Sequence, residues 1–249
     1  MSTTATRRAL VTGGASGIGL ATSKALRSAG MSVAVLDLAP EGPDGFFYVR
    51  ADVTDDASVR DAVARVLQQL EGIDVLVNCA GVGAQGGVGD NSDDEWHRVF
   101  DVNVVGIVRV TRAALAALRQ SDSAVIVNIS SIAATVGLPN RALYTATKGA
   151  VLSMTMAMAA DLTQDGIRVN AVNPGTTDTP WISRLLDRTE SPAEEMNALK
   201  QRQPHGRLVS ADEVAQAIVY LSSVSSGSTT GTYLAVDGGL QRVRIPSPK

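Results

Sequence analysis

Tyr144 and Lys148 stand four residues apart in Tyr144-Thr145-Ala146-Thr147-Lys148, a phenol and an ammonium that one helical turn brings onto one face. A free phenol titrates near pH ~10 and is a poor base at neutrality. A cation beside it favours the phenolate, so the pair suits proton exchange with an alcohol or ketone. The same spacing also occurs on ordinary solvated helices, so its meaning depends on its partners elsewhere in the chain.

The elements that must position this pair are legible as alternating patterns. Short apolar β-type runs occur at Ala9 to Val11, Ser32 to Leu36, Phe47 to Val49, Val75 to Val77, Ala124 to Ile129, Arg168 to Val172 and Tyr233 to Val236. Between them lie helical patterns at Ile18 to Ser28, Ala57 to Leu70, Glu95 to Leu118, Ala142 to Leu162 and Ala211 to Ser222. Strands apolar on both faces, separated by amphipathic helices, predict one α/β domain spanning residues 1–249, a Rossmann-type doubly wound parallel sheet of seven strands with helices on both faces. No repeat, low-complexity tract or linker divides the chain. The segment from Gly175 to Gly206 reads as irregular. In such sheets the ligand lies beyond the carboxyl ends of the strands, so the tips after Val11, Leu36, Val77, Ile129 and Val172 should form one site.

The composition bounds the chemistry. With 249 residues, 45% hydrophobic, 19% charged and a net charge of -3, the chain is that of a globular protein with no basic stripe for a nucleic-acid partner. One cysteine, Cys79, excludes an internal disulfide, and two histidines far apart, His97 and His205, argue against a metal site. No apolar run reaches the roughly 20 residues a membrane span requires, and Met1 to Arg8 is too short and polar for a signal peptide. A cytoplasmic protein using an organic cofactor is the expectation.

Thr12-Gly13-Gly14-Ala15-Ser16-Gly17-Ile18-Gly19 follows the first strand and opens a helix. Gly13 permits the tight turn, Gly17 the approach of backbone N–H groups to a pyrophosphate, and Gly19 close helix packing. Asp37 ends the second strand, where a carboxylate accepts both ribose hydroxyls of an adenosine and repels a 2′-phosphate. Ser16 and Leu38-Ala39-Pro40 offer no compensating base, so NAD is favoured over NADP. Asp52 and Val53 could hold the adenine; alternatively Asp52 caps the next helix, a task open also to Thr54 and Asp55.

These motifs together resemble the short-chain dehydrogenase/reductase family over almost the whole chain. The resemblance rests on the glycine loop, Asn78-Cys79-Ala80-Gly81, Asn103, Ser130-Ser131, Tyr144 and Lys148, Asn173-Pro174-Gly175 and Val236-Asp237-Gly238-Gly239. Cys79 stands where the family usually has a second asparagine. The resemblance implies an NAD-dependent dehydrogenase in which Ser131, rather than Ser130, bonds the substrate oxygen and Tyr144 exchanges the hydroxyl proton. It implies that Lys148 stabilises the phenolate and holds the nicotinamide ribose, and that Asn103 holds a helix kink and a proton-relay water. Asn78, Ala80 and Gly81 would join the cofactor site, and Pro174, Gly175, Thr177 and Thr179 would line the nicotinamide amide. Members usually form tetramers, so a homotetramer is implied too.

The substrate is narrowed by arginines. Arg141 lies three residues before Tyr144, and Arg184 and Arg202 lie in residues 176–206, the segment that covers substrate in this family. Guanidinium groups pair with carboxylates, so their convergence would point to an acid, though each alone is an ordinary surface residue. The block from Pro174 to Arg207 resembles type 2 3-hydroxybutyrate dehydrogenases and 2-keto-3-deoxy-L-fuconate dehydrogenases, in which Arg141 and Arg202 match substrate arginines and Leu185 does not. Trp181 adds an amphipathic ring, and Asn140 and His205 would suit a polyhydroxylated sugar acid or are plain loop residues. The alternatives are a sugar or alcohol dehydrogenase indifferent to carboxylates, a 3-oxoacyl-thioester reductase, and a silent NAD-binding scaffold. The tail from Gln241 to Lys249 is expected to reach a neighbouring subunit's site.

Overall fold

A computed structural model describes residues 6–187, 189 and 191–244, leaving aside the Leu185 side chain. Seven parallel strands form the sheet: β1 (Arg8–Thr12), β2 (Ser32–Asp37), β3 (Phe47–Arg50), β4 (Val75–Asn78), β5 (Val125–Ile129), β6 (Arg168–Pro174) and, last in the chain, β9 (Tyr233–Val236). Their order is β3-β2-β1-β4-β5-β6-β9, so the winding reverses between β1 and β4. The strands between the two edges are buried on both faces, which is why they read as unbroken apolar runs.

One face packs on α2 (Asp56–Leu70), α4 (Gly106–Leu118) and α5 (Ala142–Leu162), burying Val63, Val110 and Ala159 with Leu76 and Ile126. The other packs on α1 (Gly17–Ser28) and α8 (Ala211–Ser222), burying Leu26, Ile218 and Leu221 with Val77 and Val127. Helix starts follow their capping chemistry. Asp55 accepts the N–H groups of Ala57 and Ser58 at the head of α2, and Ser210 with Glu213 forms a capping box at α8.

Two expectations are corrected. The pattern from Glu95 to Leu118 is not one helix: α3 (Asp93–Phe100) and α4 are joined by a π-helical turn, Asp101–Val105. Periodicity misses this because the turn is paid for by long-range bonds of Asn103, described below. The stretch from Gly175 to Gly206 is largely regular, carrying β7 (Thr177–Asp178), α6 (Pro180–Leu186) and α7 (Pro192–Gln201). Pro180 and Pro192 open those helices, at the position where proline costs no hydrogen bond. Ile182, Leu199 and Leu208 give the segment a small core of its own, and β7 pairs with β8 (Val209–Ser210) to close its stem.

Gln241 and Arg242 turn back onto their own chain, where Gln241 Nε2 donates to the Tyr233 hydroxyl at 2.7 Å. Residues 245–249 of the tail lie outside the described residues. No helix among the described residues is long and apolar enough to cross a membrane.

Candidate active site

The tips of β1, β2, β4, β5 and β6 meet in one cleft of about 650 Å³. Its first half is built from backbone. Gly13, at φ +66°, turns the chain out of β1, and its N–H donates to Leu36 O at 2.7 Å. A methyl group there would sit 2.8 Å from the backbone of Ala80, and one on Gly19 would strike the Gly13 carbonyl. Thr12 Oγ1 accepts the N–H groups of Cys79 and Ala80, both at 3.1 Å, and so ties the β4 tip to the turn. Ser16 caps α1 without a side-chain bond, leaving the first N–H groups of that helix facing the cleft.

Asp37 accepts Ala15 N–H at 2.9 Å and Ala39 N–H at 3.0 Å, so its carboxylate is fixed at the cleft wall. Asp52 and Val53 line the same end, with Asp52 accepting both the N–H and the hydroxyl of Thr54. Asp55, not Asp52, caps the following helix. The donor set fits a dinucleotide: a helix N-terminus and glycine turn too tight for side chains, a carboxylate for ribose, and an apolar valine beside it.

The second half carries the reactive side chains. Ser131, Tyr144 and Lys148 all face the cleft. Lys148 is buried and donates to Ile129 O at 2.8 Å, its Nζ lying 5.8 Å from the centre of the Tyr144 ring. The two serines divide their work. Ser130 Oγ donates to Lys148 O at 2.8 Å, whereas Ser131 Oγ accepts from Ala133 N at 3.1 Å and keeps its own proton to donate. Pro174, Gly175, Thr177 and Thr179 line the same cleft, as do Ile18, Ala80 and Gly81.

Two predicted residues stand behind the cleft rather than in it. Asn103 is fully buried in the π turn, accepts Val82 N–H at 2.8 Å, and donates to Val82 O at 2.9 Å and Thr147 Oγ1 at 3.1 Å. It therefore fixes the β4 tip against α5. Asn78 does not reach the cleft: as the last residue of β4 it points into the protein and donates to Thr111 Oγ1 at 3.3 Å and Asn128 Oδ1 at 2.9 Å.

Arg141, Trp181, Arg184 and Arg202 all line the cleft. Arg141 is held by a β-bridge to Gly86, donates to Ala84 O at 3.1 Å, and lies 5.6 Å over the Trp181 ring. Burial pulls its pKa down, and Arg202 nearby adds to that, against Tyr144 and Glu195. Asn140 and His205 are not in the wall. Asn140 takes the left-handed conformation before the helix at φ +57°, and His205 packs on Gly238. Sequence reading missed Arg98, Leu138 and Leu199, which also line the cleft. Arg98 stands one helix before the π turn, whose extra residue hides its direction from a helical count. No cluster of three or more His, Cys, Asp or Glu suited to a metal occurs among the described residues.

Comparison with known proteins agrees with this geometry. A family profile described as enoyl-(acyl carrier protein) reductase matches residues 13–241. The cis-4-hydroxycyclohexanecarboxylate dehydrogenase of Sinomonas cyclohexanicum is 38% identical, over 96% of this chain and 98% of that one. The chain belongs to the short-chain dehydrogenase/reductase family. Cyclopentanol dehydrogenase of Comamonas sp. is 37% identical to this family member, over 92% of this chain and 95% of its own length. A variant of actinorhodin polyketide ketoreductase, solved with NADPH, superposes with a TM-score of 0.90 at 32% identity, covering 98% of this chain and 100% of its own. This short-chain dehydrogenase is an oxidoreductase acting on CH–OH groups with a nicotinamide cofactor.

Proposed function

We propose that this dehydrogenase uses NAD to oxidise a secondary hydroxyl on a small hydroxy acid. One observation carries the substrate reading. Arg141, Arg184 and Arg202 come from three separate elements to the same cleft as Tyr144, and among the described lining residues the only carboxylates, Asp37 and Asp52, belong to the glycine-loop end. Cations gathered beside a proton-exchanging tyrosine, offset at Arg141 by Glu195 outside the lining, favour an anionic substrate.

Ser131 donates its hydroxyl proton to the substrate oxygen and steadies the charge that develops there. Tyr144 takes the proton of the substrate hydroxyl as the carbon–hydrogen bond breaks. Lys148, oriented by Ile129 O, supplies the cation that makes a phenolate tolerable and bonds the cofactor's ribose. Asn103 keeps the β4 tip and α5 in register. The glycine turn, Ser16 and Ile18 hold the pyrophosphate, Asp37 the adenosine ribose, Asp52 and Val53 the adenine, and Pro174 to Thr179 the amide end. When bound, NAD accepts the hydride. Asp37 favours NAD because its carboxylate would repel a 2′-phosphate. Residues 176–206 cover the substrate, and exposed Val105 at the end of the π turn, Val108 on α4 and Met156 on α5 support assembly as a homotetramer.

Cyclopentanol dehydrogenase, a relative named for a neutral alcohol, supports a second reading in which no carboxylate is required. NADH formation at 340 nm with hydroxy acids and their neutral counterparts separates the two. Turnover concentrated on acids, falling at least 10-fold in Arg141→Ala and Arg202→Ala, is expected. Equal turnover of neutral alcohols, unchanged in those variants, would leave only the second reading.

A further inference from the structure

The guanidinium groups account for one end of a substrate. The rest of its envelope is set by what surrounds Arg141 and Tyr144 in the cleft, and those surfaces are apolar: Val82, Ala84, Leu138, Trp181, Ile182 and Leu199. Trp181 is held broadside by its neighbours. Gly83 leaves room for the indole, since a methyl group there would lie 2.8 Å from the ring, and Arg141 covers the ring at 5.6 Å. Ile182 and Leu199 belong to the small core that also fixes α6 against α7, so this wall is packed from behind.

The polar residues that would serve a polyhydroxylated molecule face elsewhere. Asn140 and His205 are not among the lining residues, His205 Nδ1 accepts Arg207 N–H at 3.5 Å, and Gln203 is turned inward to Thr176 O and Arg207 O. Of the hydroxyl-bearing residues in the described lining, Ser131 and Tyr144 are committed to the reacting oxygen, Ser130 donates to Lys148 O, Ser16 and Thr54 belong to the glycine-loop end and Thr177 and Thr179 to the amide end, which leaves Thr176 beside the apolar wall. A sugar acid would bury several further hydroxyl groups against carbon.

We infer that the substrate is a carboxylate with a compact apolar body, an alicyclic or branched aliphatic acid bearing one secondary hydroxyl, and not a polyhydroxylated sugar acid. The inference rests on the hydroxy-acid reading above. Arg141 stands one turn from Tyr144, about 5 Å along the helix, so the oxidised carbon and the carboxylate are only a few bonds apart. The ring or branch lies on Trp181.

The test compares three probes at fixed NAD: 3- or 4-hydroxycyclohexanecarboxylate, gluconate and cyclohexanol. The ring acid should exceed gluconate in kcat/KM by at least about 30-fold, since each hydroxyl without a partner costs severalfold to a hundredfold. Cyclohexanecarboxylate, which has nothing to oxidise, should inhibit competitively where gluconate does not. Trp181→Ala should lower kcat/KM for the ring acid about 10-fold more than it lowers that for 3-hydroxybutyrate, which shares the loss of the indole over Arg141. Gluconate turning over as well as the ring acid would overturn the inference while leaving the hydroxy-acid reading intact. Cyclohexanol outpacing the ring acid would overturn that reading instead, and the inference with it.

Discussion

Asp74 ties the start of β4 to the start of β1, at the amino ends of the central strands and so opposite the cleft, and its titration should be visible in the stability of the fold. Its carboxylate accepts the backbone N–H of Arg8 at 2.7 Å, Arg8 Nε at 2.8 Å, Arg8 Nη2 at 2.9 Å and the Ser121 hydroxyl at 2.7 Å. Burial alone would push this carboxyl up; the bonds and charge of Arg8 with the bond of Ser121 outweigh it and hold it at about 2. A group that titrates lower folded than unfolded stabilises the fold above its unfolded pKa, near ~3.9, and loses that contribution as pH falls towards the folded value. The difference of roughly two pH units corresponds to about 2.5 kcal/mol. Because the Arg8 side chain is 30% exposed, solvent screening trims this to about 1–2 kcal/mol.

The perturbation is Asp74→Asn, followed by thermal and urea unfolding from pH 7 to pH 2.5. At pH 7 the variant should melt roughly 3–6 °C below the parent. The gap should hold down to about pH 5 and shrink from about pH 4 to 2.5, falling to roughly a third of its pH 7 value, because parent Asp74 takes up its proton as pH nears the folded value. Glu213, held at about 2 by Arg207 and Ser210, adds its own slope to both proteins and cancels in the difference. Turnover at pH 7 should be unchanged. A gap constant across the whole pH range, or none at pH 7, would refute the reasoning.

Three further outcomes follow from the cleft. Ser131→Ala should lower kcat by about 10²-fold or more; Ser130→Ala, whose hydroxyl is spent on Lys148 O, should instead cost about 1 kcal/mol of stability with kcat within severalfold, and the reverse pattern would exchange their roles. Arg109 donates to Val53 O at 3.1 Å and pairs with Asp101 at 2.8 Å, bracing the adenine end against the π turn. Arg109→Ala should therefore weaken NADH binding, read by fluorescence titration, about 5- to 20-fold with a smaller change in kcat; unaltered affinity would dismiss the brace. Burial pushes the Cys79 thiol up to about 12, with Lys148 drawing it down and Asp37 adding to the rise. At pH 8 it should react with a disulfide reagent at under about 1% of its rate in guanidinium, and prompt labelling of the native protein would contradict that.

What the sequence made legible was chemistry enforced locally. The turn at Gly13 needs a residue without a side chain, strands buried on both faces must be apolar, and Tyr144 and Lys148 are neighbours on any helix. What escaped was enforced from afar. Asn103 bonds Val82 and Thr147, 21 and 44 residues away, and these contacts accompany a π turn that no periodicity announces. Asn78 is implied as a cofactor residue by the resemblance of Asn78-Cys79-Ala80-Gly81 to the family, and the structure turns its side chain to Asn128 on the next strand, a pairing that only the strand order makes visible.

The same division runs through the cleft itself. Its cofactor half is made of strand tips and backbone amides, so the order of motifs along the chain is enough to place it. Its substrate half is made of side chains from α3, α5, α6 and the end of α7, and only their packing decides which polar groups face inward. In the sequence Arg141 reads as a substrate residue, and Asn140 and His205 as either sugar-acid contacts or plain loop residues. The β-bridge at Gly86 and the indole of Trp181 aim Arg141 at the cleft, while the left-handed turn at Asn140 and the Gly238 contact direct the other two away. Reaction type is thus carried by the fold's local grammar, and substrate choice by whichever side chains the helices of residues 176–206 leave exposed to Tyr144. Exchanging that segment between relatives should accordingly move substrate preference while leaving the cofactor preference with Asp37.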